Sequence, residues 1–213
     1  MAGRYLVSLD LENKKCLVAG GGNVAERKVR SLLECGAQVS VVSPVITPAL
    51  ASMAEEGLIL YRRGGYQCSD LDGVFLVFGA TGREEVNRQI ADDCASRALI
   101  VNIVDDPAKC SFYVPATVRR GSLSIAVSTG GKSPLLARKI REELESVYGP
   151  QYEEFLEMLG ALREEVIKNV SDPGKKKKIL EDLLSDVILD MLKNGRLDQA
   201  KEMLLGAYHG SGS

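Results

Sequence analysis

Three consecutive glycines, Gly20 to Gly22, are the residues in this chain best suited to bind an anion through the backbone. With Ala25 they give the spacing G-x-G-x-x-A, which is typical of loops that hold the pyrophosphate of a dinucleotide. In such loops the first glycine permits a tight turn, and the second lets the backbone approach the phosphates. N–H groups near Asn23 and Val24, at the start of the following helix, would then face the anion. A glycine turn without a ligand is the alternative interpretation.

Two adjacent carboxylates, Asp105 and Asp106, are the candidates for proton transfer. They follow a predicted strand, Ala98–Asn102, and ligands of open α/β sheets bind outside the carboxyl ends of the strands. A carboxylate at this edge could take a proton as a hydride leaves, and adjacent carboxylates can raise one another's pKa. The alternative is a turn in which Asp106-Pro107 only ends the strand.

Other catalytic arrangements find no support in the sequence. No tyrosine has a lysine four residues later, as short-chain dehydrogenases require, and the single histidine, His209, lies in the C-terminal tail. A histidine-built metal site or a Ser-His-Asp triad is therefore not expected, and no metal ligands are predicted. Asp105 is consequently the candidate general acid/base.

The end of the second predicted strand supplies further candidate cofactor contacts, namely Ser43, Pro44 and Val45. The acid that usually binds the ribose is missing there. No arginine stands immediately there to receive a 2′-phosphate, so we expect NAD rather than NADP as the cofactor. Ser43 could instead only cap the end of the strand.

The loop Gly79–Gly82 follows a central strand and contributes two more candidates, Ala80 and Thr81. Small residues in this position would let adenine or ribose approach. Asn102, at the end of the fifth strand, completes the predicted cofactor contacts. A plain connecting loop is the alternative for Gly79–Gly82.

Alternating strands and helices must hold these residues in place. The predicted strands are Cys16–Ala19, Gln38–Val42, Leu58–Arg62, Val74–Phe78 and Ala98–Asn102. The helix after the glycine turn shows one apolar face, made by Ala25, Val29, Leu32 and Leu33. This alternation predicts a doubly wound parallel sheet of the Rossmann-like α/β class.

The pattern changes after Pro107. Short antiparallel β segments are predicted at Phe112–Val114, Thr117–Arg119 and Ser122–Val127, followed by a helix to Tyr148 and an all-helical remainder. We therefore predict an NAD-binding domain over residues 1–113, a small β/α dimerisation segment over 114–149 and a helical C-terminal domain over 150–213. The lysine run 175–178 is expected to be a solvated helix turn, with an anion contact as the alternative.

Composition excludes several classes of protein. The chain has 213 residues and a net charge of −2, which gives no general attraction to nucleic acid or anionic membranes. It contains no run of 18 apolar residues, and the N-terminal segment lacks the apolar region of a signal peptide. Five scattered cysteines without a C-x-x-C motif are typical of reduced thiols in the cytoplasm.

Three segments, Gly20–Lys28, Asn102–Asp105 and Ser128–Arg138, together resemble precorrin-2 dehydrogenase. The same module forms the N-terminal half of fused bacterial siroheme synthase. The resemblance covers residues 4–148 closely and the helical tail loosely. It implies that NAD+ removes a hydride from the tetrapyrrole precorrin-2 to give sirohydrochlorin, with Asp105 at the position of the family's key aspartate.

The resemblance also implies a homodimer that intertwines through residues 112–148. Because precorrin-2 carries many carboxylates, basic side chains should line its cleft. The basic candidates are Arg119, Arg120, Lys132, Arg138, Lys139 and Arg141. Ser128, Lys132 and Arg138 are the predicted substrate contacts, and a solvated helix face is the alternative for about half of the basic set.

Two other functions remain open at this point. Some members of the family also place Fe2+ in the ring, so a bifunctional enzyme that makes siroheme is one alternative. A non-catalytic NAD-sensing module with a helical tail that binds a partner is the other.

Overall fold

The structure, a computed structural model, describes residues 5–210, apart from the side chain of His209 and the exposure of Gly210. Predictions about residues 1–4, the His209 side chain and residues 211–213 lie outside this range. The chain packs into two compact units that divide between Val114 and Pro115. The three-part division into 1–113, 114–149 and 150–213 stays a prediction.

The first unit is a five-stranded parallel sheet flanked by helices. Its strands β1 to β5 are Lys15–Ala19, Gln38–Ser43, Ile59–Arg63, Leu76–Gly79 and Ile100–Ile103. Its helices α1 to α3 are Asn23–Leu33, Pro48–Glu55 and Glu84–Ser96. The strand order β3-β2-β1-β4-β5, with every pair parallel, confirms the predicted doubly wound fold. Since the order reverses between β1 and β4, the crevice above their carboxyl ends is the expected ligand site.

Both faces of this sheet are buried, which explains the nearly continuous apolar strands. Along β1, Val18 packs in the cluster that includes helices α1 and α2, and Leu17 packs in the cluster that includes α3. The predicted apolar face of α1 is confirmed, because Ala25, Val29 and Leu32 are buried there.

Several predicted strand boundaries were displaced. β4 begins only at Leu76. Phe75, just before it, is partly exposed at the edge of the sheet where the strands begin. β5 begins at Ile100, since the turn after α3 passes through a positive φ of 54° at Ala98. The predicted strand Phe112–Val114 was wrong; the Ser111 N–H instead donates to the Val101 carbonyl and ties this segment to β5.

The second unit begins with an antiparallel hairpin of β6 (Ala116–Arg120) and β7 (Leu123–Val127), which turns at Gly121. Helix α4 follows over Pro134–Val147, where Ser133 caps the helix through a bond from the Leu136 N–H. The remaining helices α5 to α8 are Gln151–Asn169, Pro173–Asp182, Asp186–Lys193 and Leu197–Gly210.

These last four helices have a core of their own, which confirms the predicted helical C-terminal part. Its most buried side chains are Leu183, Ile188, Leu192, Ala200 and Leu204. Within residues 5–210 no helix is both long and apolar enough to cross a lipid bilayer.

Candidate functional site

The turn after β1 is wedged between two neighbouring loops. Gly20 has φ +130°, and a Cβ atom added there would lie 2.3 Å from the Ala80 carbonyl oxygen. Its N–H donates to the Val42 carbonyl at 2.9 Å. Only glycine satisfies both the backbone angle and the close approach, so this turn fixes the distance between the ends of β1, β2 and β4.

Gly21, the variable position of the fingerprint, is as tightly held as its neighbour. A Cβ atom there would lie 2.0 Å from the Val45 carbonyl oxygen and 2.7 Å from the Ser43 hydroxyl oxygen. Its own carbonyl accepts a bond from the Thr47 N–H at 2.9 Å. Sequence reasoning gave this residue no role; the run of three glycines was the only signal for it.

Gly22 differs from both, because a Cβ atom added there would meet nothing within 4 Å. It is the N-cap of α1 and has an ordinary φ of −87°. The first bond of the helix is donated by Glu26 to the Gly22 carbonyl, so the preceding N–H groups have no partner inside the helix. Those of Asn23 and Val24, exposed and half-buried residues, border the open space over Gly22. This arrangement fits the pyrophosphate of a dinucleotide.

The helix α1 is braced to α2 by one hydroxyl. Thr47 accepts a bond from the Leu50 N–H and donates to the Glu26 carboxylate at 2.8 Å. The bonds from Thr47 and from Arg30 lower the pKa of Glu26. The bond between Thr47 and Glu26, 21 positions apart in sequence, therefore helps to orient the N-terminus of α1.

The end of β2 forms one wall of a cleft of about 370 Å³. Its lining residues are Pro44, Val45, Ile46, Ala51, Ala54, Glu55, Tyr61 and Arg63. The Ser43 hydroxyl is buried and donates to the Val45 carbonyl at 2.7 Å, the structural role that the sequence also allowed. The cofactor contacts predicted for Ser43, Pro44 and Val45 stay predictions.

The loop after β4 is held by a side chain that sequence reasoning missed. Asn87, on α3, accepts bonds through its Oδ1 from the Thr81 hydroxyl at 2.6 Å and the Thr81 N–H at 3.3 Å. Its Nδ2 donates to the Thr81 carbonyl at 3.1 Å. Since Ala80 presses on Gly20, these bonds also support the glycine turn. Contact of Ala80 and Thr81 with the cofactor stays a prediction.

Asp105 is exposed at the carboxyl end of β5 and has a left-handed φ of +61°. The strand register aligns Ala19, Gly79 and Ile103, so Asp105 follows an end about two strand spacings, roughly 10 Å, from the glycine turn. Asp105 and the glycine turn thus share one edge of the sheet. Left-handed backbone is uncommon outside glycine but is tolerated by aspartate, and such outliers are frequent at functional sites.

The neighbouring Asp106 differs from Asp105 because it forms an ion pair with Lys109. The hydrogen bond and charge of Lys109 lower the pKa of Asp106. The expectation that adjacent carboxylates raise one another's pKa was therefore wrong for Asp106. The Cys110 sulfur closes the same loop, since it lies 3.2 Å from the Ile103 nitrogen, the Ile103 oxygen and the Asp106 oxygen.

The side chain of Asn102, on β5, bonds to the segment that follows Asp105. Its Nδ2 donates to the Phe112 carbonyl at 2.9 Å. The Phe112 ring meets Phe78 edge-on at 5.5 Å, and the Lys28 ammonium lies 5.0 Å from the Phe78 ring centre. Burial lowers the pKa of Lys28. The bond to the Phe112 carbonyl gives Asn102 a structural role. Contact of Asn102 with the cofactor stays a prediction.

The predicted substrate contacts lie in the second unit and are exposed. The Ser128 hydroxyl accepts a bond from the Gly130 N–H at 3.2 Å. Arg138 pairs with Glu142 at 2.8 Å, which raises the pKa of Arg138, and Lys132 is exposed in the turn before α4. Roles for Ser128, Lys132 and Arg138 in binding a substrate stay predictions.

Thiols and acids do not cluster as metal ligands in the described part of the chain. There, no group of three or more histidine, cysteine, aspartate or glutamate side chains could hold an ion. No disulfide joins any of the five cysteines, all of which lie in the described part of the chain.

The fold and the glycine turn define a nucleotide-binding protein of the Rossmann type. A family model described as NAD(P)-binding matches residues 7–116, and a model described as the central part of a sirohaem biosynthesis protein matches residues 120–146. The first of these models covers more than half of the chain, so the chain belongs to this NAD(P)-binding family.

Individual proteins agree with this assignment. The siroheme synthase of Thioalkalivibrio sulfidiphilus is 36% identical over 200 residues, which cover 94% of this chain and 41% of that protein. Siroheme synthase 3 of Aeromonas hydrophila is 40% identical over 174 residues, or 82% of this chain and 37% of that protein. The chain thus spans less than half the length of these relatives.

A solved structure of SirC, precorrin-2 dehydrogenase, matches over nearly the full length of both chains. The two share 28% sequence identity and a TM-score of 0.80, and the match covers 96% of this chain and 98% of SirC. The similarity therefore extends through the helical C-terminal part.

Replacing single glycines of the turn should separate folding from binding. Gly20→Ala should lower the free energy of unfolding by at least about 2 kcal/mol, through left-handed strain and collision with Ala80. Gly22→Ala should keep the stability but weaken dinucleotide binding about tenfold or more, because its methyl group enters the phosphate space. Thermal unfolding and calorimetric titration measure the two effects. Unchanged dinucleotide affinity in Gly22→Ala would contradict the assignment of this space.

Asn87→Ala should weaken dinucleotide binding about tenfold while leaving the rate at saturating cofactor nearly unchanged. The reason is that the loop at Thr81 loses three hydrogen bonds, whereas Asp105 is untouched. Steady-state kinetics at varied dinucleotide concentration measure this difference, with Gln89→Ala, an exposed change on the same helix, as control. A lower saturating rate at unchanged cofactor KM would disprove the positioning role.

Proposed function

We propose that this protein catalyses the NAD-dependent dehydrogenation of precorrin-2 to sirohydrochlorin in siroheme biosynthesis. The observation that carries the proposal is an exposed Asp105, in left-handed backbone, on the same sheet edge as the glycine turn. The match of residues 120–146 to a sirohaem biosynthesis protein and the similarity to SirC, precorrin-2 dehydrogenase, support the substrate class. NAD is the proposed oxidant because no arginine follows Ser43 directly.

In the first unit, one set of residues binds the dinucleotide and another residue transfers the proton. The bound dinucleotide supplies the hydride acceptor. The N–H groups at the start of α1 hold its pyrophosphate, and the close packing at Gly20 and Gly21 keeps that helix end fixed. Asp105 takes one of the protons that the tetrapyrrole loses, as a carboxylate within reach of the reacting carbon can do.

Lys109 makes the two aspartates unequal in this chemistry. Asp106 is paired with Lys109 and stays ionised, so its charge is already compensated. Asp105 is exposed, so its carboxylate is accessible to a substrate. We therefore assign the acid/base role to Asp105 and a structural role to Asp106.

Basic residues of the second unit are proposed to bind the carboxylates of the tetrapyrrole. Lys132 and Lys139 are exposed, and Arg138 can exchange its exposed partner Glu142 for a substrate carboxylate. An exposed ion pair of this kind contributes little to stability, so such an exchange costs little. Arg141 is less available, because it pairs with both Glu142 and Glu145.

The test of the proposal is Asp105→Asn, assayed without oxygen with precorrin-2 and NAD+. Asparagine tolerates the left-handed backbone of this position, so the fold should be retained. We expect kcat to fall at least about a hundredfold, since the variant cannot accept a proton. The absorbance of sirohydrochlorin measures the rate, and calorimetry should show unchanged NAD+ affinity.

Asp106→Asn is the matched control and should keep most of the activity. Equal losses in the two variants would mean that the loop, rather than the Asp105 carboxylate, is responsible. Full activity of Asp105→Asn would remove this residue from the mechanism. Absence of precorrin-2 turnover in the wild-type chain, with NAD+ still bound, would favour the NAD-sensing module. Added Fe2+ in the same assay tests iron insertion.

We also propose that the chain forms a homodimer through the segment that contains β6, β7 and α4. Leu135, Leu136 and Val147 on α4 are exposed apolar side chains, at 64%, 50% and 42% of their surface, that a second copy could cover. We also propose a cytoplasmic location, because five scattered cysteines without a C-x-x-C motif are typical of reduced thiols there.

Leu136→Lys should convert the dimer to a monomer by burying a charge in that surface. Light scattering should then give a mass near 23.0 kDa, the mass of one chain, instead of twice that value. Leu60→Lys, a change of another exposed leucine on the edge strand β3, should leave the dimer intact. A monomeric wild-type protein would refute the proposal.

A further inference from the structure

We propose that Arg63 gives the adenosine end of the cofactor site a contact for a 2′-phosphate, so that NADP+ binds as well as NAD+. The inference rests on the proposed dinucleotide site. It concerns the cleft beside Ser43, Pro44 and Val45, where the sequence had indicated NAD alone.

The fold brings Arg63 to the place where the sequence showed no arginine. In the parallel pairing of β2 and β3, Arg63 is the register partner of Ser43, at about one strand spacing or 5 Å. Arg63 is exposed and lines the same cleft as Pro44 and Val45. Its side chain therefore borders the residues predicted to contact the ribose.

The adjacent Arg62 does not compete for this role. Its guanidinium donates to Asp70 through Nε at 2.8 Å and to the Gly65 carbonyl at 2.8 Å. Because side chains alternate along a strand, Arg62 and Arg63 leave β3 on opposite faces. Arg63 instead shares a face with Tyr61, whose hydroxyl donates to the Ser43 carbonyl at 2.9 Å and joins β3 to the end of β2.

The charge around the ribose position favours a phosphate there. The segment Ser43–Thr47 contains no carboxylate, and an acid is what binds the ribose hydroxyls in NAD enzymes. Glu55 also lines the cleft, but it ends α2 and lies about 10 Å along that helix from its start beside Val45. A guanidinium suits the two-point binding of a phosphate.

The test uses calorimetric titration of the full chain with two fragments, 2′,5′-ADP and 5′-ADP, which differ in the position of one phosphate. The wild-type protein should bind both. Arg63→Ala should weaken 2′,5′-ADP binding about ten- to hundredfold and change 5′-ADP binding less than about twofold. Arg88→Ala removes an equal charge from the exposed face of α3 and should change neither.

Each other result overturns the proposal in a distinct way. Equal weakening of both fragments by Arg63→Ala would show a general contact, and wild-type binding of 5′-ADP alone would show that the site rejects a 2′-phosphate. If neither fragment binds, the dinucleotide site itself is refuted, and the proposed function with it. Failure of precorrin-2 turnover alone would leave a selective effect of Arg63→Ala standing.

Discussion

The site depends on the absence of side chains at two positions of the first turn. The Ala80 carbonyl stands 2.3 Å from where a Cβ of Gly20 would be, and the Val45 carbonyl 2.0 Å from a Cβ of Gly21. The loops after β2 and β4 therefore close on the turn from both sides. Gly22 faces open space. The turn is therefore rigid at Gly20 and Gly21 and open to a ligand at Gly22. Rigidity of this kind lets backbone N–H groups bind an anion without first being ordered.

The side chains that support the glycine turn are uncharged, or their charge is compensated by a neighbouring group. Asn87 holds the β4 loop with an uncharged amide. Glu26, the acid in the first turn of α1, receives bonds from Thr47 and Arg30. A carboxylate at the position of Asn87 would keep the accepting bonds but would place a negative charge beside the loop that borders the proposed phosphate site. The choice of amide thus agrees with an anionic ligand.

The sequence predicted the fold well because each element carried a local signal. The glycine turn and the apolar face of α1 each depend on residues close together in the chain. The start of β4 was missed, because Phe75 is as apolar as the residues that follow and only the sheet edge exposes it. The prediction of a strand at Phe112–Val114 was wrong because pairing partners decide whether an apolar segment becomes a strand.

The sequence indicated candidate residues at the strand ends but not the contacts between them. Asp105 could be found because a strand end marks it, whereas Asn87 and Arg63 matter only through residues that the fold brings near, Thr81 and Ser43. The same limit explains Asp106, which looks equivalent to Asp105 in sequence. In the structure Lys109 compensates one carboxylate of the pair, and the loop closed by Cys110 turns the other outward in left-handed backbone. This difference between the two carboxylates supports Asp105, rather than Asp106, as the proposed acid/base.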